Sequence, residues 1–319
     1  MSHSEAANPL PRVGIVLVNY NGRRFLPECI ASLKQIDYPS AVVVVIDNAS
    51  SDGSVEWLEE NYPDVPLICH AENSGITGGN NAGIRWCLKN GCEWIMLLNN
   101  DTEVEPDFLS QLMQHAAPKQ MMAPRIFYAD NRNRINNHFG SFDYLRGIHR
   151  DRFYNQQNSA ESSQLQQGTM ANTCALLFPR TLPESIGWQD DNYFIYYDDI
   201  DYITRAVQCG YGLLYVPEAV IYHKESSSSG GANSPLVTYY TVRNRLYFMQ
   251  QYHKRSVGWL VFLAYFTLTR CALFIRLAMR RDTGQIKIIL RAIQDFFGGK
   301  MGKADPSRYM LPLRNAQNG

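Results

Sequence analysis

Residues Trp94–Val104 read WIMLLNNDTEV, an apolar run that stops at Asn99, Asn100 and Asp101. A run this short and this apolar fits a strand buried on both faces within a parallel sheet. Strands of that kind open at their carboxyl ends onto the crevice where α/β proteins bind ligands. One carboxylate and two amides at such a point can hold Mg²⁺ or Mn²⁺ against a phosphate, although Asn-Asp pairs are also ordinary turn residues. The segments on either side decide between the two.

Upstream, one alternation repeats. Val13–Val18 is an apolar run closed by Asn19-Tyr20-Asn21-Gly22, and a helical pattern follows over Leu26–Ile36. Val42–Ile46 is a second β-branched run, closed by Asp47-Asn48-Ala49-Ser50-Ser51-Asp52-Gly53. A helix is predicted over Val55–Asn61, with Ser51 or Asp52 placed to cap it. Pro66–Cys69 reads as a third strand, Gly78–Lys89 as a helix stopped by Gly91, and Pro106 opens a helix over Asp107–His115. Strand, helix, strand, helix, strand is the pattern of an α/β fold with a Rossmann-like, mostly parallel central sheet and flanking helices.

A chain of 319 residues has room for one large α/β domain with an appendage, or for two domains, and buries a substantial core without staples. Seven scattered cysteines give no disulfide framework, and Cys87 and Cys92 have the wrong spacing for a zinc knuckle. No apolar leader precedes the first strand, so a reducing cytoplasm is the expectation.

The formal net charge of zero conceals a division. From Arg243 onward there are 14 Lys+Arg against 3 Asp+Glu, a net of +11; the remainder carries 16 against 27, a net of −11. Within the basic tail, Val257–Leu268 (VGWLVFLAYFTL) is nearly all apolar, and Arg270, Arg276, Arg280 and Arg281 follow. On a helix those four fall within an arc of roughly 140°, leaving an apolar face. The uninterrupted apolar part is shorter than the roughly 20 residues of a spanning helix. Its Trp, Phe and Arg content suits a helix lying in an anionic membrane surface; the alternative is a helix packed on the main domain with its arginines in water. It is too apolar for a nucleic-acid phosphate track.

Two further stretches carry chemistry. Glu72–Gly83 (ENSGITGGNNAG) is glycine-rich and leads into a helix, where a backbone can approach a phosphate or ribose; close helix–sheet packing would explain the glycines equally. It lacks the ending of a P-loop and the position of a dinucleotide fingerprint. Asn192–Arg205 (NYFIYYDDIDYITR) places Asp198, Asp199 and Asp201 within four residues. At least one of these carboxyls should resist ionisation. Arg205 lies one helical turn from Asp201 and can pair with it, leaving Asp198 or Asp199 as a general base. A solvated helix start with acidic caps is the plainer alternative.

The ordered set VNYNG, VVVVIDNASSDGS, ENSGITGGNNAGI, LLNNDTEV, FIYYDDIDYITRA and YYTVRNRLYF resembles family 2 of the inverting glycosyltransferases, which have the GT-A fold. The likeness runs from about Arg12 to Tyr252 and is greatest to the rhamnosyltransferase branch, with galactofuranosyltransferases close by. It implies a disordered segment over 1–11, a catalytic domain over 12–252 and a basic, apolar helical extension over 253–319. It also implies that Asn19, Asn21 and Asp47 hold the nucleotide, within a nucleotide-sugar set completed by Asn48, Asn73, Gly78, Gly79, Asn80 and Asn100. Asp101 corresponds to the last acid of the family's DXD motif and would bind Mg²⁺ or Mn²⁺, with Asn99 and His223 beside it. Asn99 replaces the motif's first acid, leaving one carboxylate, and Mg²⁺ often needs only one or two. Asp199 inherits the role of catalytic base, with Asp198, Asp201 and Arg205 on the acceptor side or in support. Arg243 and Asn244 match an Arg-Asn pair whose guanidinium would clamp the diphosphate.

The expected activity is therefore transfer of one hexose, by a single in-line displacement, from a dTDP- or UDP-linked donor. The expected acceptor is a saccharide hydroxyl, lipid-linked at the inner face of a bacterial plasma membrane during surface polysaccharide synthesis. A homodimer is a candidate assembly, and nucleic acid is not expected as a partner. A nucleotidylyltransferase would carry its glycine-rich loop after the first strand; a non-catalytic sugar-nucleotide-binding protein would not need both the NND turn and the DDID cluster. A processive synthase would add several spanning helices and a Gln-x-x-Arg-Trp motif. Asp130–Gly168, rich in Asn, Arg, Gln and Ser, reads as a mobile loop placed to cover donor or acceptor. Ser226–Gly231 (SSSSGG) reads as a flexible loop that orders on the diphosphate.

Overall fold

A computed structural model describes residues 10–136, 139–224, 234–254 and 256–310. The first half follows the expected alternation: β1 (Val13–Asn19), α1 (Leu26–Leu33), β2 (Ala41–Asp47), α2 (Ser54–Asn61), β3 (Leu67–Cys69), α3 (Gly75–Lys89) and β4 (Trp94–Asn99). Then come β5 (Thr102–Val104), α4 (Phe108–Met113), β6 (Gln120–Tyr128), β7 (Asn131–Ile135), β8 (Gly140–Asp143), β9 (Ile148–Asp151), β10 (Gln166–Gly168) and β11 (Ala175–Pro179). The remainder is α5 (Thr181–Ile186), α6 (Asp198–Gln208), β12 (Gly212–His223), α7 (Pro235–His253), α8 (Val257–Met279), α9 (Thr283–Phe297) and a 3₁₀ turn at Pro306–Arg308.

The strands form one mixed sheet in the order β10-β12-β6-β11-β4-β1-β2-β3. β1 pairs in parallel with both β2 and β4, and β2 with β3. β6 and β12 are also parallel, whereas β11 runs antiparallel to β4 and β6. Parallel neighbours require crossovers, which α1, α2 and α3 supply. Because β1 lies between β2 and β4, the strand order reverses there, and the crevice of an α/β fold opens at the carboxyl ends of these strands. That is where Asn19, Asp47 and Asn99 stand. The Rossmann-like α/β architecture expected of a GT-A fold is present.

Period-two alternation divides the core between the two faces of the sheet. Val13, Ile15 and Leu17 of β1, with Met96 and Leu98 of β4, pack against α1 and α4. Val16, Ile95 and Leu97 point the other way and share a cluster with α3, α6, α7 and α9. On that face α3 lies unusually close. A Cβ on Gly83 would come within 2.1 Å of a Val16 methyl, and one on Gly79 within 2.5 Å of Val18.

Several boundaries differ from expectation. α3 begins at Gly75, three residues early, so Gly78 and Gly79 sit inside the helix. Gly53, in the left-handed region at φ 78°, takes the cap position of α2, and Asp52 accepts from the Ser54 backbone N–H just beyond it. Asp130–Gly168 is not a bare loop. It holds β7 on β6, the β8–β9 hairpin and β10 on β12. Its polar composition reflects exposed strand faces, while buried Ile135, Phe139, Phe142 and Phe153 tie it to the core. Ser226–Gly231, residues 1–9 and residues 311–319 lie outside the described residues.

The C-terminal helices also join the body. α9 buries Ile288, Ile289, Ala292 and Phe296 in the same cluster as the sheet. Buried Asp295 accepts from Tyr239 Oη at 2.7 Å and from Arg308 Nε at 2.8 Å, locking α9 to α7 and the 3₁₀ turn. α8 differs in kind. It runs through the arginines to Met279, so at 23 residues it is long and apolar enough to cross a membrane by length and composition, and the short expected run is corrected on that point. Phe262 and Phe266 are its fully buried side chains. Val257, Leu260, Val261, Leu268, Ile275 and Met279 stand exposed along its opposite side.

Candidate active site

Three loops at the carboxyl edge are bound into one network. Asn19 Nδ2 donates to Asp47 Oδ1 at 2.8 Å and to Ser50 Oγ at 3.1 Å, and Asn100 Nδ2 donates to Asn19 Oδ1 at 2.7 Å. Asp47 Oδ2 accepts from the Ser50 N–H, and Ser50 Oγ accepts from the Asn21 N–H. The loops close this tightly because Gly22 has no side chain: a Cβ there would lie 2.3 Å from Asn100 Nδ2. Asn19 and Asp47 are fully buried. Here they hold together the loops that line the crevice. Asn21, exposed and at φ 51°, remains at its surface. Ser50 was missed, and its signal was its place in the small-residue stretch after β2.

The glycine-rich segment is similarly structural in its first turns. Asn48 Nδ2 donates to the Gly75 carbonyl, Asn73 Oδ1 accepts from the Gly75 N–H, and His70 Nδ1 lies 3.0 Å from Asn48 Oδ1. Gly79 packs on β1, and buried Asn80 donates to Gln189 Oε1 at 3.1 Å. A Cβ on Gly78 would meet only the Ser74 side chain.

Asp101 follows the NND turn and is nearly buried, with its Oδ1 3.2 Å from His223 Nε2 at the end of β12. The pairing of β5 with β12 sets His223 opposite Thr102 and so brings the two together. Burial disfavours a charge on His223, but Cys174 and the Asp101 carboxylate outweigh it and hold the imidazolium proton well above the usual histidine range. A carboxylate oxygen and an imidazole suit Mg²⁺ or Mn²⁺. Among the described residues no group of three or more His, Cys, Asp or Glu is gathered as a metal cage. An ion at Asp101 would thus take its remaining positions from diphosphate and water, as such ions commonly do. Half-buried Asn99 stands at the strand end beside it.

The acidic cluster opens α6, whose cap residue Tyr197 has φ 68°. Phe194 and Tyr196, at 66° and 64°, are left-handed as well. Three bulky residues in that region are strained by roughly 1–3 kcal/mol each. The strain is held by Asn244, whose Nδ2 donates to the carbonyls of Tyr193, Ile195 and Tyr196 at 3.0, 2.9 and 2.8 Å. Arg243 Nε in turn donates to Asn244 Oδ1, and its guanidinium reaches the Asn192 and Tyr193 carbonyls between the rings of Tyr239 and Tyr240. Both residues are fully buried. The pair clamps this loop.

The loop also reaches α3. Phe194 O accepts from the Ile76 N–H at 2.8 Å, and a Cβ on Gly75 (φ 76°) would lie 2.3 Å from that oxygen. Presented this way, the carboxylates separate. Asp198 is buried, and burial together with the Asp199 charge pushes its carboxyl well above the usual range. Asp199 is half-buried, its Oδ1 accepting from the Ile200 N–H at 2.8 Å. Asp201 faces elsewhere: Arg205 Nε donates to its Oδ2 at 2.8 Å and Tyr252 Oη to its Oδ1 at 2.9 Å.

Against known proteins, the family model described as "Glycosyl transferase family 2" matches residues 14–176. The low-salt glycan biosynthesis hexosyltransferase Agl10 of Haloferax volcanii is 23% identical over 262 residues, 78% of either chain. The N-acetylglucosaminyl-diphospho-decaprenol L-rhamnosyltransferase of Mycobacterium tuberculosis is 26% identical over 242 residues, 68% of this chain and 77% of that one. Among solved structures, the mannosyltransferase PcManGT of Pyrobaculum calidifontis, in complex with GDP-Man and Mn²⁺, aligns with TM-score 0.54 at 16% identity over 91% of this chain and 88% of its own. GalNAc-T7 with UDP, GalNAc and Mn²⁺ gives TM-score 0.56 at 16% identity over 74% of this chain, which spans about half (48%) of that protein.

Proposed function

The chain belongs to glycosyl transferase family 2, and from that premise we propose that it is an inverting hexosyltransferase using a nucleotide-diphosphate sugar and a lipid-linked saccharide acceptor. The observation that carries this is the strained loop at 194–197. It presents buried Asp198 and half-buried Asp199 at the start of α6, with its Phe194 carbonyl held by the amino end of α3. The less buried of these two adjacent carboxyls, Asp199, suits a general base. Asp199 takes the proton of the acceptor hydroxyl as that oxygen attacks the anomeric carbon. The nucleoside diphosphate leaves from the opposite face, and one displacement inverts the centre.

Asp101 and His223, with Asn99 at the strand end, are the groups that would hold Mg²⁺ or Mn²⁺, which neutralises charge on the departing diphosphate. Asn21, Asn73 and Gly78 remain for the nucleotide sugar. Asn19, Asp47, Asn48, Asn80 and Asn100 shape the crevice, and Arg243 and Asn244 position the catalytic loop. The Mn²⁺ in the two aligned structures supports the cation, and the name of the mycobacterial relative supports a rhamnosyl donor and a polyprenyl-diphosphate acceptor. The basic tail and the apolar side of α8 support work at the inner face of a membrane.

Thermal unfolding with UDP, dTDP or GDP, each with and without Mn²⁺, tests the reading. One nucleotide should stabilise by about 2.7 kcal/mol at 100 times its Kd, and only with the metal present. Asp101→Ala should raise the metal concentration needed for that shift and weaken nucleotide binding. Absence of any shift in the wild-type chain would contradict the reading.

A further inference from the structure

Arg245 of α7 and Arg270 of α8 stand on either side of Phe266, their guanidinium carbons 5.6 and 5.4 Å from its ring centre. Arg245 also lies 5.7 Å from the ring of Phe262. Both side chains are half-buried, and the Nε of each is buried without a hydrogen-bond partner. No carboxylate pairs with either among the described residues, and Arg245 donates instead to the Arg146 carbonyl. Arg205 and Arg308 are paired with Asp201 and Asp295, and fully buried Arg243 donates from its Nε to Asn244 Oδ1. Two adjacent like charges out of water, each with an unused donor, are costly unless an anion completes them.

Their location identifies that anion. The charges of Arg245, Asp199 and Arg270 all act on the buried Tyr197 hydroxyl, which donates to the Gly147 carbonyl at 2.6 Å. The pair therefore stands near Tyr197, the cap residue of α6, with Arg270 in the second half of α8. Asp199, the carboxylate read as the base, neighbours the same hydroxyl, and α8 carries an exposed apolar side along its length. The geometry points to Arg245 and Arg270 as a subsite for the phosphate or diphosphate ester of a membrane-anchored acceptor. Its sugar lies at Asp199 and its hydrocarbon chain along α8. Guanidinium groups suit such an ester because each offers a planar fork of donors. This assignment rests on the transferase reading for the acceptor's role, though not for the binding itself.

The test is binding of farnesyl diphosphate to the full chain in EDTA without nucleotide, by titration calorimetry. The wild-type chain should bind it, inorganic pyrophosphate should compete, and farnesol should bind far more weakly. Arg270→Gln should weaken farnesyl diphosphate by about tenfold or more, and Arg270→Lys, which keeps the charge and loses the planar fork, should restore it only in part. Farnesol binding should be unchanged in both variants. No binding by the wild-type chain, equal affinity for farnesol, or an unchanged affinity in a folded Arg270→Gln would overturn the assignment. If that variant does not fold, failure of pyrophosphate to compete in the wild-type chain overturns it instead. Displacement of the probe by phosphatidylglycerol vesicles as effective as by pyrophosphate would also overturn it, making the pair a general anionic-lipid contact. The metal-dependent nucleotide shift, measured on the same wild-type and Arg270→Gln samples, separates failure of this subsite from failure of the transferase reading.

Discussion

Asp198 and Asp199 are adjacent in the chain and opposite in environment. Burial and its neighbour's charge push the Asp198 carboxyl well above the usual range, while Asp199 is only half-buried. A carboxyl whose folded pKa is raised favours folding below its unfolded value and loses that contribution as pH rises through the folded one. Asp198→Asn, which mimics the protonated form, should raise the urea midpoint at pH 8, and the gain should vanish as pH falls below about 4. Urea titrations at the two pH values check the sign. Three carboxylates in four residues announced such a split, but burial alone chose which one. The Arg243-Asn244 pair was legible as important, but its hold on the loop before α6 was not. A positive side chain in a transferase suggests a phosphate, whereas the left-handed backbone at 194–197, invisible in the letters FIYY, is what the pair serves. Asn244→Ala leaves buried carbonyls without donors, so urea unfolding should show a loss of roughly 3 kcal/mol or more, with catalysis impaired even where the chain folds.

At the scale of elements, the strand–helix alternation was readable because β1, β2 and β4 are near-continuous apolar runs, each closed by Asn or Asp. The glycines of α3 were harder, since close packing and ligand approach both demand them. The distances decide for packing at Gly79 and Gly83. Gly83→Ala must displace Val16 or shift α3 against β1, and should cost about 1–3 kcal/mol in urea unfolding. Wild-type stability in that variant would show the contact to be looser than 2.1 Å implies. The segment 130–168 looked like a loop because hairpin strands exposed on one face are polar at every second residue. The few buried aromatics that anchor it are too widely spaced to form a run.

Across the whole molecule, the division of charge becomes spatial logic. The basic tail supplies α7, α8 and α9, of which α7 and α9 are built into the core and α8 leaves an apolar side uncovered. That side, flanked by exposed Arg276, Arg280 and Arg281, suits an anionic bilayer surface. The chain should sediment with phosphatidylglycerol vesicles and much less with phosphatidylcholine. Added salt should release part of it, and Leu260→Ser with Leu268→Ser should release most. Equal recovery of this double variant and wild type on vesicles would place the contact elsewhere.

The central claim is that Asp199 moves the acceptor proton in a transferase whose donor site does not depend on it. The most direct measurement is release of nucleoside diphosphate from the nucleotide sugar that stabilises the chain, with membrane lipid extract as acceptor source, for wild type and Asp199→Asn. The account predicts a fall on the order of 10²-fold or more in the variant, with the metal-dependent nucleotide shift intact. Release near the wild-type rate would contradict it.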